Sequence, residues 1–565
     1  MIRAHREDEL LSTLTRQLVG RRVDRRAFLR HVARLGISVS VAAELVDRVI
    51  GRDAPRPASA QTPKKGGTIK VATKADFTSF DPIVAVDYET WILVLNVFDV
   101  IVNYDKDGKL YPVIAKEIPR VSNGGKTFEI KIRDGAKFHN GRQIVADDIK
   151  YSLERVALRE NKSWGIAYVG NVVGLKDYQE RKIKELPGIK VVDRMTVVID
   201  LETPSANYFN YLTMSTNAPV PREEVEKLGS EWGKKVVGSG PFIFKEWVPG
   251  KKFSMVKNPD YWDKSLPHAD AVEYEMGIDN ALQLLRVEKG ELDLMDNQPP
   301  EAEIQGILTN PKWRDRFVRQ EDMEWRGIAF NNDMEPFNDA RVRKAVCQAL
   351  NYEKYLRLLG GLGTRARGIL GKVNPGYDPT LTGWDYNPDA AKKLLADAGL
   401  AKGFETELYI HSGRQYYVTL SPAVQQDLAA VGIKAALRPI PGAQYGATTR
   451  KPKTTPMSWA GQGASYPDPM DFLQISFTCQ AKSLGNSYPF YCNKKVDDLL
   501  EASEREFDRQ KRYALFHEAQ RILIRDDAVL APIWHTNLMG VHSERLKGFY
   551  IHPIMRWEYK NYWLA

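Results

Sequence analysis

The chain has 565 residues, of which 43% are hydrophobic and 27% are charged. This length exceeds what one hydrophobic core usually serves, so we expect two or three domains. The composition is that of a folded globular protein and excludes a disordered or fibrous one. Residues 1–60 contribute +5 of the formal net charge of +9, from 12 Lys or Arg against 7 Asp or Glu. The small remaining charge does not indicate a nucleic-acid partner.

No run of 18 or more apolar residues occurs, so the sequence predicts no membrane-spanning helix and a soluble mature protein. The three cysteines, Cys347, Cys479 and Cys492, are too few for a disulfide framework and lack the spacing of a zinc site. For Cys479 and Cys492, a disulfide in an oxidising compartment and two buried thiols are both left open. Cys347 lies beside the apolar face of a predicted helix, where we expect inert packing.

Residues 1–60 have the order of an export signal. Asp-Arg-Arg-Ala-Phe-Leu-Arg at 24–30 precedes the uncharged run 35–43, and Ala-Ser-Ala follows at 58–60. This order resembles a twin-arginine signal, which predicts export of an already folded protein to the periplasm. A basic amphipathic helix is the alternative, which Asp24 favours because a signal of this kind usually has Ser or Thr there.

The elements predicted along the rest of the chain alternate between strands and helices. Short β-branched or alternating runs indicate strands at Thr68–Ala72, 127–132, 196–201, 242–244 and 253–256. Apolar residues at helical spacing predict a helix over 338–351. A second helix over 387–399 has Asn387 as its cap and Gly399 at its end. This mixture predicts α/β or mixed α+β lobes.

Ten short sequence blocks follow one another in a fixed order. They are 97–101, 105–115, 125–133, Phe138-His139-Asn140-Gly141, 146–149, Gly238-Ser239-Gly240-Pro241-Phe242, 258–262, 336–346, 391–399 and Tyr466-Pro467-Asp468-Pro469. In order and spacing, the series resembles the family 5 extracellular solute-binding proteins, the peptide- and nickel-type receptors of ABC importers, over about residues 66–560. Each block alone has a structural explanation. His139, in a turn, is expected to be hydrogen-bonded or at the surface rather than a metal ligand.

The resemblance implies a two-lobed clamp of the periplasmic-binding-protein type with a third domain and two hinge crossings. The expected bodies are lobe I at 61–98, 221–328 and 534–565, an extra domain at 99–220, and lobe II at 329–533. The chain then crosses between the lobes near 328 and near 533. Few residues at such crossings need to rotate for the lobes to close.

The resemblance also implies that a ligand lies between the lobes, against one wall after the first strand and another before the late Asp-Pro pair. Aromatic side chains there bury ligand area, and polar groups orient the ligand. The candidate ligand-binding residues are Asp87, Tyr88, Glu89, Trp164, Arg450, Trp459, Gln462, Ser465 and Tyr466. Core packing is the alternative for the aromatic candidates. Arg450 suits a carboxylate or phosphate, with a solvated loop as its alternative.

Ser465 departs from the family pattern, because peptide-binding members commonly carry Asp there to pair with the ligand's α-amino group. A hydrogen bond to a charged group contributes roughly 1.5–3 kcal/mol, so its loss weakens peptide binding by about tenfold or more. We therefore expect an amine-poor solute, such as a sugar or an opine, rather than a simple peptide. Glu89 or Asp87 is left as a receiver for an amine on the opposite wall.

The sequence contains no HExxH, GxSxG or GxxxxGKS pattern, and its nine histidines form no ligand-spaced cluster. We therefore expect no enzyme, no cofactor and no metal, but a monomeric receptor that delivers a small solute or peptide to the permease of an ABC importer. Three alternatives stay open. They are a dipeptide or oligopeptide receptor despite Ser465, a sensor or chaperone-type interaction protein, and a receptor for nickel or a metal chelate.

Overall fold

The computed structural model describes residues 62–565 except 86, 486 and 555. Residues 64–565 form one compact unit. The predicted twin-arginine signal lies outside the described residues and stays a prediction. Among the described helices, none is both long and apolar enough to cross a lipid bilayer.

Three large hydrophobic cores organise this unit. One is built from residues between 69 and 100, 218 and 294, and 538 and 562, and we call the body around it lobe I. A second core draws on residues between 83 and 212 and defines the extra domain. The third draws on residues between 323 and 534 and defines lobe II. The predicted mixture of helices and strands is confirmed in these bodies.

Lobe I is built on a five-stranded sheet in the order β11-β1-β10-β9-β8. Ile69 and Val71 alternate with exposed Lys70, so one face of the first strand enters the core. The strands are β1 Thr68–Ala72, β8 Phe242–Val248, β9 Lys252–Lys257, β10 Ala271–Glu275 and β11 Leu294–Met295. The helices are α1 Tyr88–Val97, α5 Arg222–Leu228, α6 Asn280–Glu288 and α7 Glu301–Thr309, and the short strands β18 Leu546–Lys547 and β19 Trp563–Leu564 pair beside them.

The extra domain contains an antiparallel sheet in the order β4-β5-β7-β6 and a separate hairpin, β2-β3. Ile149, Leu153 and Val156 form the buried stripe that seats its longest helix on the core. The strands are β2 Val102–Tyr104, β3 Leu110–Pro112, β4 Arg120–Ser122, β5 Thr127–Lys131, β6 Ile189–Asp193 and β7 Thr196–Asp200. The helices are α2 Ala146–Ala157, α3 Leu175–Gln179 and α4 Tyr208–Tyr211.

Lobe II surrounds a six-stranded sheet in the order β13-β17-β12-β16-β14-β15. Its strands are β12 Phe317–Phe330, β13 Gly363–Arg365, β14 Phe404–His411, β15 Ile433–Ile440, β16 Met457–Gly463 and β17 Leu530–Val541. Its helices are α8 Ala340–Ala349, α9 Tyr352–Leu358, α10 Pro388–Asp397, α11 Gln415–Ala429, α12 Gly442–Thr449, α13 Pro469–Phe477, α14 Cys479–Ser483, α15 Lys494–Arg505 and α16 Arg509–Arg521.

The strands and helices predicted from the sequence are found within a few residues of their expected bounds. The helix predicted over 387–399 is α10, in which the Asn387 side chain accepts a hydrogen bond from the backbone N–H of Ala390 at 3.0 Å. Gly399 follows it with a φ of +78°, the left-handed conformation that glycine adopts without strain. Local capping chemistry was therefore sufficient to define this element.

Strands β12 and β17 connect the two lobes and lie side by side as antiparallel neighbours. Near one end of the pair, Val318 and Leu538 pack against the core of lobe I. Further along, Met323 and Trp534 belong to the core of lobe II. The pairing register shifts at a bulge between Glu321 and Trp325, which lies between these two sets of contacts. Both passages of the chain between the lobes therefore run through one two-stranded ribbon.

Cys479 and Cys492 form a disulfide that closes a loop at the edge of lobe II. The question that the sequence left open is thereby decided in favour of the bridge, which is typical of proteins outside the reducing cytosol. Cys347 is the free cysteine of the described residues and is fully buried, and burial raises the pKa of its thiol. Its predicted role as inert packing is consistent with this environment.

Candidate ligand-binding site

Two of the family blocks contact each other where the extra domain meets lobe I. His139 of the extra domain accepts a hydrogen bond at Nδ1 from the Gly238 N–H, 3.2 Å away, and its Nε2 lies 3.1 Å from the Gly240 carbonyl oxygen. Burial lowers the pKa of this imidazole to about 4, so the ring is neutral and its Nε2–H donates. His139 thus joins the extra domain to lobe I, as a hydrogen-bonded histidine.

The loop between β16 and α13 carries the predicted residues Ser465 and Tyr466, and a buried ion pair fixes its end. Asp468 caps α13 by accepting from the Met470 N–H at 3.0 Å. The same carboxylate accepts hydrogen bonds from two guanidinium nitrogens of Arg512, and both side chains are 9% exposed. A bidentate ion pair of this kind fixes the orientation of both side chains and also balances their charges. The loop is therefore presented from a rigid base.

Ser465 and Tyr466 of lobe II contact the extra domain directly. The Tyr168 hydroxyl donates to Ser465 Oγ at 3.2 Å, and Asn207 Nδ2 donates to the Tyr466 hydroxyl at 3.0 Å. The Tyr466 ring meets the rings of Tyr168 and Tyr211 edge-on, with centroids 6.0 and 5.9 Å apart. The structure thus brings two predicted residues into a tyrosine-rich interface between lobe II and the extra domain.

Trp164, a third predicted residue, lies next to this interface in the extra domain. Its ring meets the Tyr168 ring edge-on at 5.7 Å. The indole N–H is buried and finds no hydrogen-bond acceptor among the described residues. A buried donor without a partner is uncommon in folded proteins, so this N–H is available to a ligand acceptor.

Asp471 lies directly behind Ser465 and is a carboxylate that sequence reasoning missed. One of its oxygens, Oδ2, accepts a hydrogen bond from the Ser465 N–H. The other, Oδ1, is buried without a hydrogen-bond partner among the described residues. Burial raises the pKa of this carboxyl to about 7, and the backbone N–H groups of Ser465 and Tyr466 oppose the rise only in part.

Trp459, Gln462 and Arg450 are not brought to the cleft as predicted. Trp459 is fully buried in the core of lobe II, where its ring stacks on Tyr417 at 4.8 Å. The Gln462 side chain is engaged by neighbours inside lobe II, because its Oε1 accepts from Ser476 Oγ at 3.1 Å. Arg450 is exposed and lies over the Tyr488 ring, 4.8 Å from its centre. Trp459 thus has the core-packing environment that was its alternative, and Arg450 lies on the surface as its alternative stated.

On the lobe I wall, Asp87 serves the local backbone. It caps α1 by accepting from the Thr90 N–H at 2.9 Å and the Thr90 hydroxyl at 2.6 Å, and it also accepts from the Thr78 hydroxyl. These bonds make Asp87 the cap of α1. Because Oδ2 accepts one of the described bonds, it keeps acceptor capacity, and a ligand contact at Asp87 stays a prediction. The Tyr88 side chain lies outside the described part of the chain.

Glu89 lines a cavity of about 130 Å³ in lobe I beside the connecting ribbon. Asp296 lines it too, and accepts hydrogen bonds at Oδ1 from the Trp557 indole N–H at 2.8 Å and the Tyr274 hydroxyl at 3.2 Å. Burial raises the pKa of Asp296 to about 7, and the nearby charge of Glu89 adds to the rise. We call this space the lobe I cavity.

Arg556 also lines the lobe I cavity and links it to the ribbon. Its Nη2 donates to Oδ2 of Asp322 at 3.1 Å, and Asp322 lies in the bulge of β12. Burial lowers the pKa of the guanidinium to about 9, so it remains charged at neutral pH. Its φ of +52° lies in the left-handed region, where a non-glycine residue is strained.

A larger groove of about 580 Å³ lies elsewhere, on lobe II between α11 and the strands β14 and β15. Its lining includes Glu405, Gln425 and Lys434, and none of the residues predicted for ligand binding. It is an open surface depression on lobe II. Among the described residues, no group of three or more His, Cys, Asp or Glu side chains is arranged to hold a metal ion.

Two lobes joined by one ribbon, with polar and aromatic groups facing each other between them, define a solute-binding receptor of the clamp type. Residues 109–483 match the profile of the bacterial extracellular solute-binding proteins, family 5, middle region. The chain belongs to this family. It is therefore an extracytoplasmic receptor of the kind that captures a solute between two lobes for an ABC importer, as the resemblance predicted.

A curated relative resembles the chain over most of its length, and solved structures share its fold. The glutathione-binding protein GsiB of Salmonella typhi is 28% identical over 491 residues, covering 86% of this chain and 92% of the relative. The clavulanic acid biosynthesis oligopeptide binding protein 2 superposes with a TM-score of 0.82 at 23% identity, covering 89% and 96% of the two chains. The ABC transporter-associated periplasmic binding protein DppA from Helicobacter pylori, in complex with the peptide STSA, gives a TM-score of 0.73 at 24% identity, covering 89% and 98%.

Proposed function

We propose that this receptor captures a short peptide or a peptide-like solute and hands it to the permease subunits of its importer. The observation that carries the proposal is the contact of Ser465 and Tyr466 in lobe II with Tyr168 and Asn207 in the extra domain. These side chains offer hydroxyl and amide groups on an aromatic surface, which suits the alternating amide and apolar groups of a peptide. The binding partners named for the relatives, glutathione and a peptide, support the same class.

Ser465 no longer argues against a peptide. The sequence suggested an amine-poor ligand because Ser465 carries no charge, but two other carboxylate sites lie on the two walls. Asp471 stands behind Ser465 in lobe II, and Glu89 and Asp296 line the lobe I cavity. Either site supplies the negative charge that a ligand ammonium group needs. The peptide interpretation, first held as the alternative, is the one we now favour.

The test is to identify the ligand that the protein already carries. Native mass spectrometry of purified protein, followed by release and sequencing of the bound molecule, should detect a short peptide or a γ-glutamyl peptide. Thermal unfolding with dipeptides, tripeptides and glutathione should then rise in temperature, because a ligand at 100 times its Kd stabilises the folded state by about 2.7 kcal/mol. A response to sugars or amine-poor opines with none to peptides would reject the proposal in favour of the amine-poor ligand class.

A sensor or chaperone-type role is the second candidate, and a separate assay distinguishes it. A chaperone recognises exposed apolar segments of many proteins, whereas this cleft offers a few fixed polar groups. We expect no suppression of aggregation of a denatured test protein at receptor concentrations that saturate with ligand. We also propose that the receptor acts as a monomer and not as an enzyme, and light scattering and unchanged ligand recovered after incubation test those two points.

Export by the twin-arginine route forms part of the proposal. The paired residues Arg25 and Arg26 precede an uncharged run, as such signals require. Changing both arginines to lysine should leave the precursor in the cytoplasm, while changing Arg21 and Arg22 in the same way should not. Periplasmic accumulation of the Arg25→Lys, Arg26→Lys precursor would contradict this route. We further propose the lobe boundaries given by the resemblance, with the crossings in the β12–β17 ribbon.

A further inference from the structure

The lobe I cavity carries charged groups of both signs in a small space, and we propose that it binds the zwitterionic end of the ligand. In this assignment Glu89 and Asp296 receive an ammonium group, and Arg556 receives a carboxylate on the same carbon atom. The inference rests on the proposed function, a peptide-like solute, and narrows it to solutes with a free amino-acid head. A γ-glutamyl peptide has such a head, whereas an ordinary α-peptide separates its ammonium and carboxylate groups at opposite ends.

The two carboxylates create a need for a cation. Glu89 and Asp296 line one cavity, and the charge of Glu89 disfavours ionisation of Asp296. Two like charges in a poorly solvated space are relieved either by a proton or by a bound cation. The hydrogen bonds that reach Asp296 from Trp557 and Tyr274 both end on Oδ1. A ligand ammonium, with its three donors, suits the remaining acceptor capacity of both carboxylates.

The arginine makes the cavity selective for more than an amine. Arg556 stands on the same cavity wall and is oriented by its 3.1 Å bond to Asp322. The guanidinium weakens the attraction of the two carboxylates for a lone ammonium, whereas a ligand carboxylate next to the ammonium turns the same positive charge into an additional attraction. The planar guanidinium pairs with carboxylates through two parallel N–H donors, which fixes the orientation of the head.

The size of the cavity sets how much of the ligand it holds. Its volume is about 130 Å³, and it is partly open to its surroundings. In this assignment the cavity takes the amino-acid head, and the rest of the ligand extends out of it. Leu538, Met539 and Trp557 provide the apolar part of the lining, which suits the methylene groups that follow the head of a γ-linked residue.

Asp471 is the alternative binding site for the ligand ammonium group, and its surroundings predict a different class of ligand. It lies in lobe II with an unpartnered Oδ1, and no arginine side chain contacts it among the described residues. An ammonium bound there needs no neighbouring carboxylate, so an ordinary α-peptide fits as well as a γ-linked one. The two sites are therefore separated by ligand chemistry as well as by mutation.

The first experiment compares two isomers of one tripeptide. Isothermal titration with γ-Glu-Cys-Gly and α-Glu-Cys-Gly, both S-methylated to remove thiol chemistry, should give a Kd at least tenfold lower for the γ-isomer. The two molecules have the same atoms and net charge and differ in whether the free ammonium and a carboxylate share a carbon. Equal affinities would overturn the zwitterion assignment while leaving a peptide receptor intact.

The second experiment removes the charges one at a time. Glu89→Gln and Asp296→Asn should each raise the Kd for the γ-isomer tenfold or more and largely abolish the preference for it. Glu273→Gln, an exposed carboxylate on the same lobe, is the matched control and should bind as the unmodified protein does. Ligand-free melting curves establish that each variant is folded. Glu89→Gln suits this purpose because the Glu89 side chain is not part of a described hydrogen-bond network.

The remaining outcomes distinguish the cavity assignment from the Asp471 site and from a failure of the proposed function. Loss of binding in Asp471→Asn with full binding in Glu89→Gln and Asp296→Asn would overturn the proposal and place the amine in lobe II. If no peptide binds to the unmodified protein, the proposed function fails, and free L-glutamine, which carries the same head, becomes the probe. Stabilisation by L-glutamine that disappears in Asp296→Asn would keep the cavity assignment, and its absence would remove it.

Discussion

Asp296 is a buried carboxyl whose ionisation is poised near neutral pH. Its pKa is raised to about 7 by burial and then by the charge of Glu89. The other groups that face it are the guanidinium of Arg556 across the cavity and the hydroxyls of Tyr274 and Tyr559. These hydroxyls remain protonated, because burial raises the pKa of both well above the usual value. The cavity therefore changes charge at Asp296 first as the pH falls below 7.

The first prediction concerns binding between pH 5 and pH 7. A ligand ammonium binds the ionised form of Asp296, so binding lowers its pKa and releases a proton when the pH is below 7. The Kd of a zwitterionic ligand should rise by up to tenfold for each pH unit below 7 and level off above it. Titration calorimetry in buffers of different ionisation enthalpy measures the proton release. In Asp296→Asn both the slope and the released proton should be absent, and their persistence would contradict this origin.

At the residue scale, sequence patterns predicted only part of the site. Ser465, Tyr466 and Glu89 were predictable because the family resemblance implies the two stretches of chain that form the walls of the ligand site. Asp296 and Arg556 lie 260 residues apart and meet only in the folded protein, so no local pattern links them. Trp459 was mistaken for a cleft residue because an indole has the same appearance in sequence whether it faces a ligand or a core.

At the scale of elements, the start of α13 depends on a charged cap inside the protein. Asp468 both caps this helix and pairs with Arg512. Strands and capped helices were predictable from alternation and from end signals, as α10 illustrates. The Asp468 to Arg512 pair was not, because its two partners belong to separate helices and only tertiary packing brings them together.

The second prediction compares two helix caps. Asp468→Asn keeps an acceptor for the helix but leaves buried Arg512 uncompensated, which should lower the free energy of unfolding by about 3–5 kcal/mol. Asp339→Asn is the control, since Asp339 caps α8 and pairs with Arg341 in the same way, but Arg341 is 53% exposed. That exposed pair should contribute no more than about 1 kcal/mol. Urea unfolding measures both, and equal losses would contradict the role of burial.

The third prediction concerns the disulfide. Its cysteines are 13 positions apart, and closing a loop of about 15 residues is worth about 3 kcal/mol in the chain-entropy model. The double variant Cys479→Ser, Cys492→Ser should therefore unfold at a lower urea concentration than the oxidised protein. Reductant should shift the unmodified protein by the same amount and leave the double variant unchanged. Superimposable unfolding curves for the oxidised protein and the variant would refute a stabilising role.

At the scale of the whole molecule, closure depends on few contacts. The extra domain and lobe II meet through the Tyr168 to Ser465 and Asn207 to Tyr466 hydrogen bonds. Ala206 and Glu504 add a backbone hydrogen bond at 2.7 Å, and the Ser205 hydroxyl donates to the Glu504 carboxylate. The Tyr466 ring also packs against Tyr168 and Tyr211. Each hydrogen bond between neutral groups contributes about 1 kcal/mol, so the closed arrangement is held by a margin that a ligand or one mutation can change.

The fourth prediction tests this margin. Tyr466→Phe removes the acceptor for Asn207. In the ligand-free protein, it should raise the ratio of open to closed molecules by roughly fivefold. Small-angle scattering should then give a larger radius of gyration without ligand, and the Kd should rise by a similar factor. Tyr445→Phe is the control, because that hydroxyl donates to the Trp459 carbonyl at 2.6 Å inside lobe II. Identical scattering from both variants would contradict the assignment.

The ribbon of β12 and β17 limits the ways in which the two lobes can move relative to each other. Two crossing segments that were far apart would permit twisting, sliding and tilting of one lobe against the other. Because the two strands are paired with each other on both sides of the bulge, these movements are coupled, and we expect bending at the bulge to be the main movement. If the proposed permease recognises the angle of bending, it distinguishes the loaded receptor from the empty one without contacting the solute.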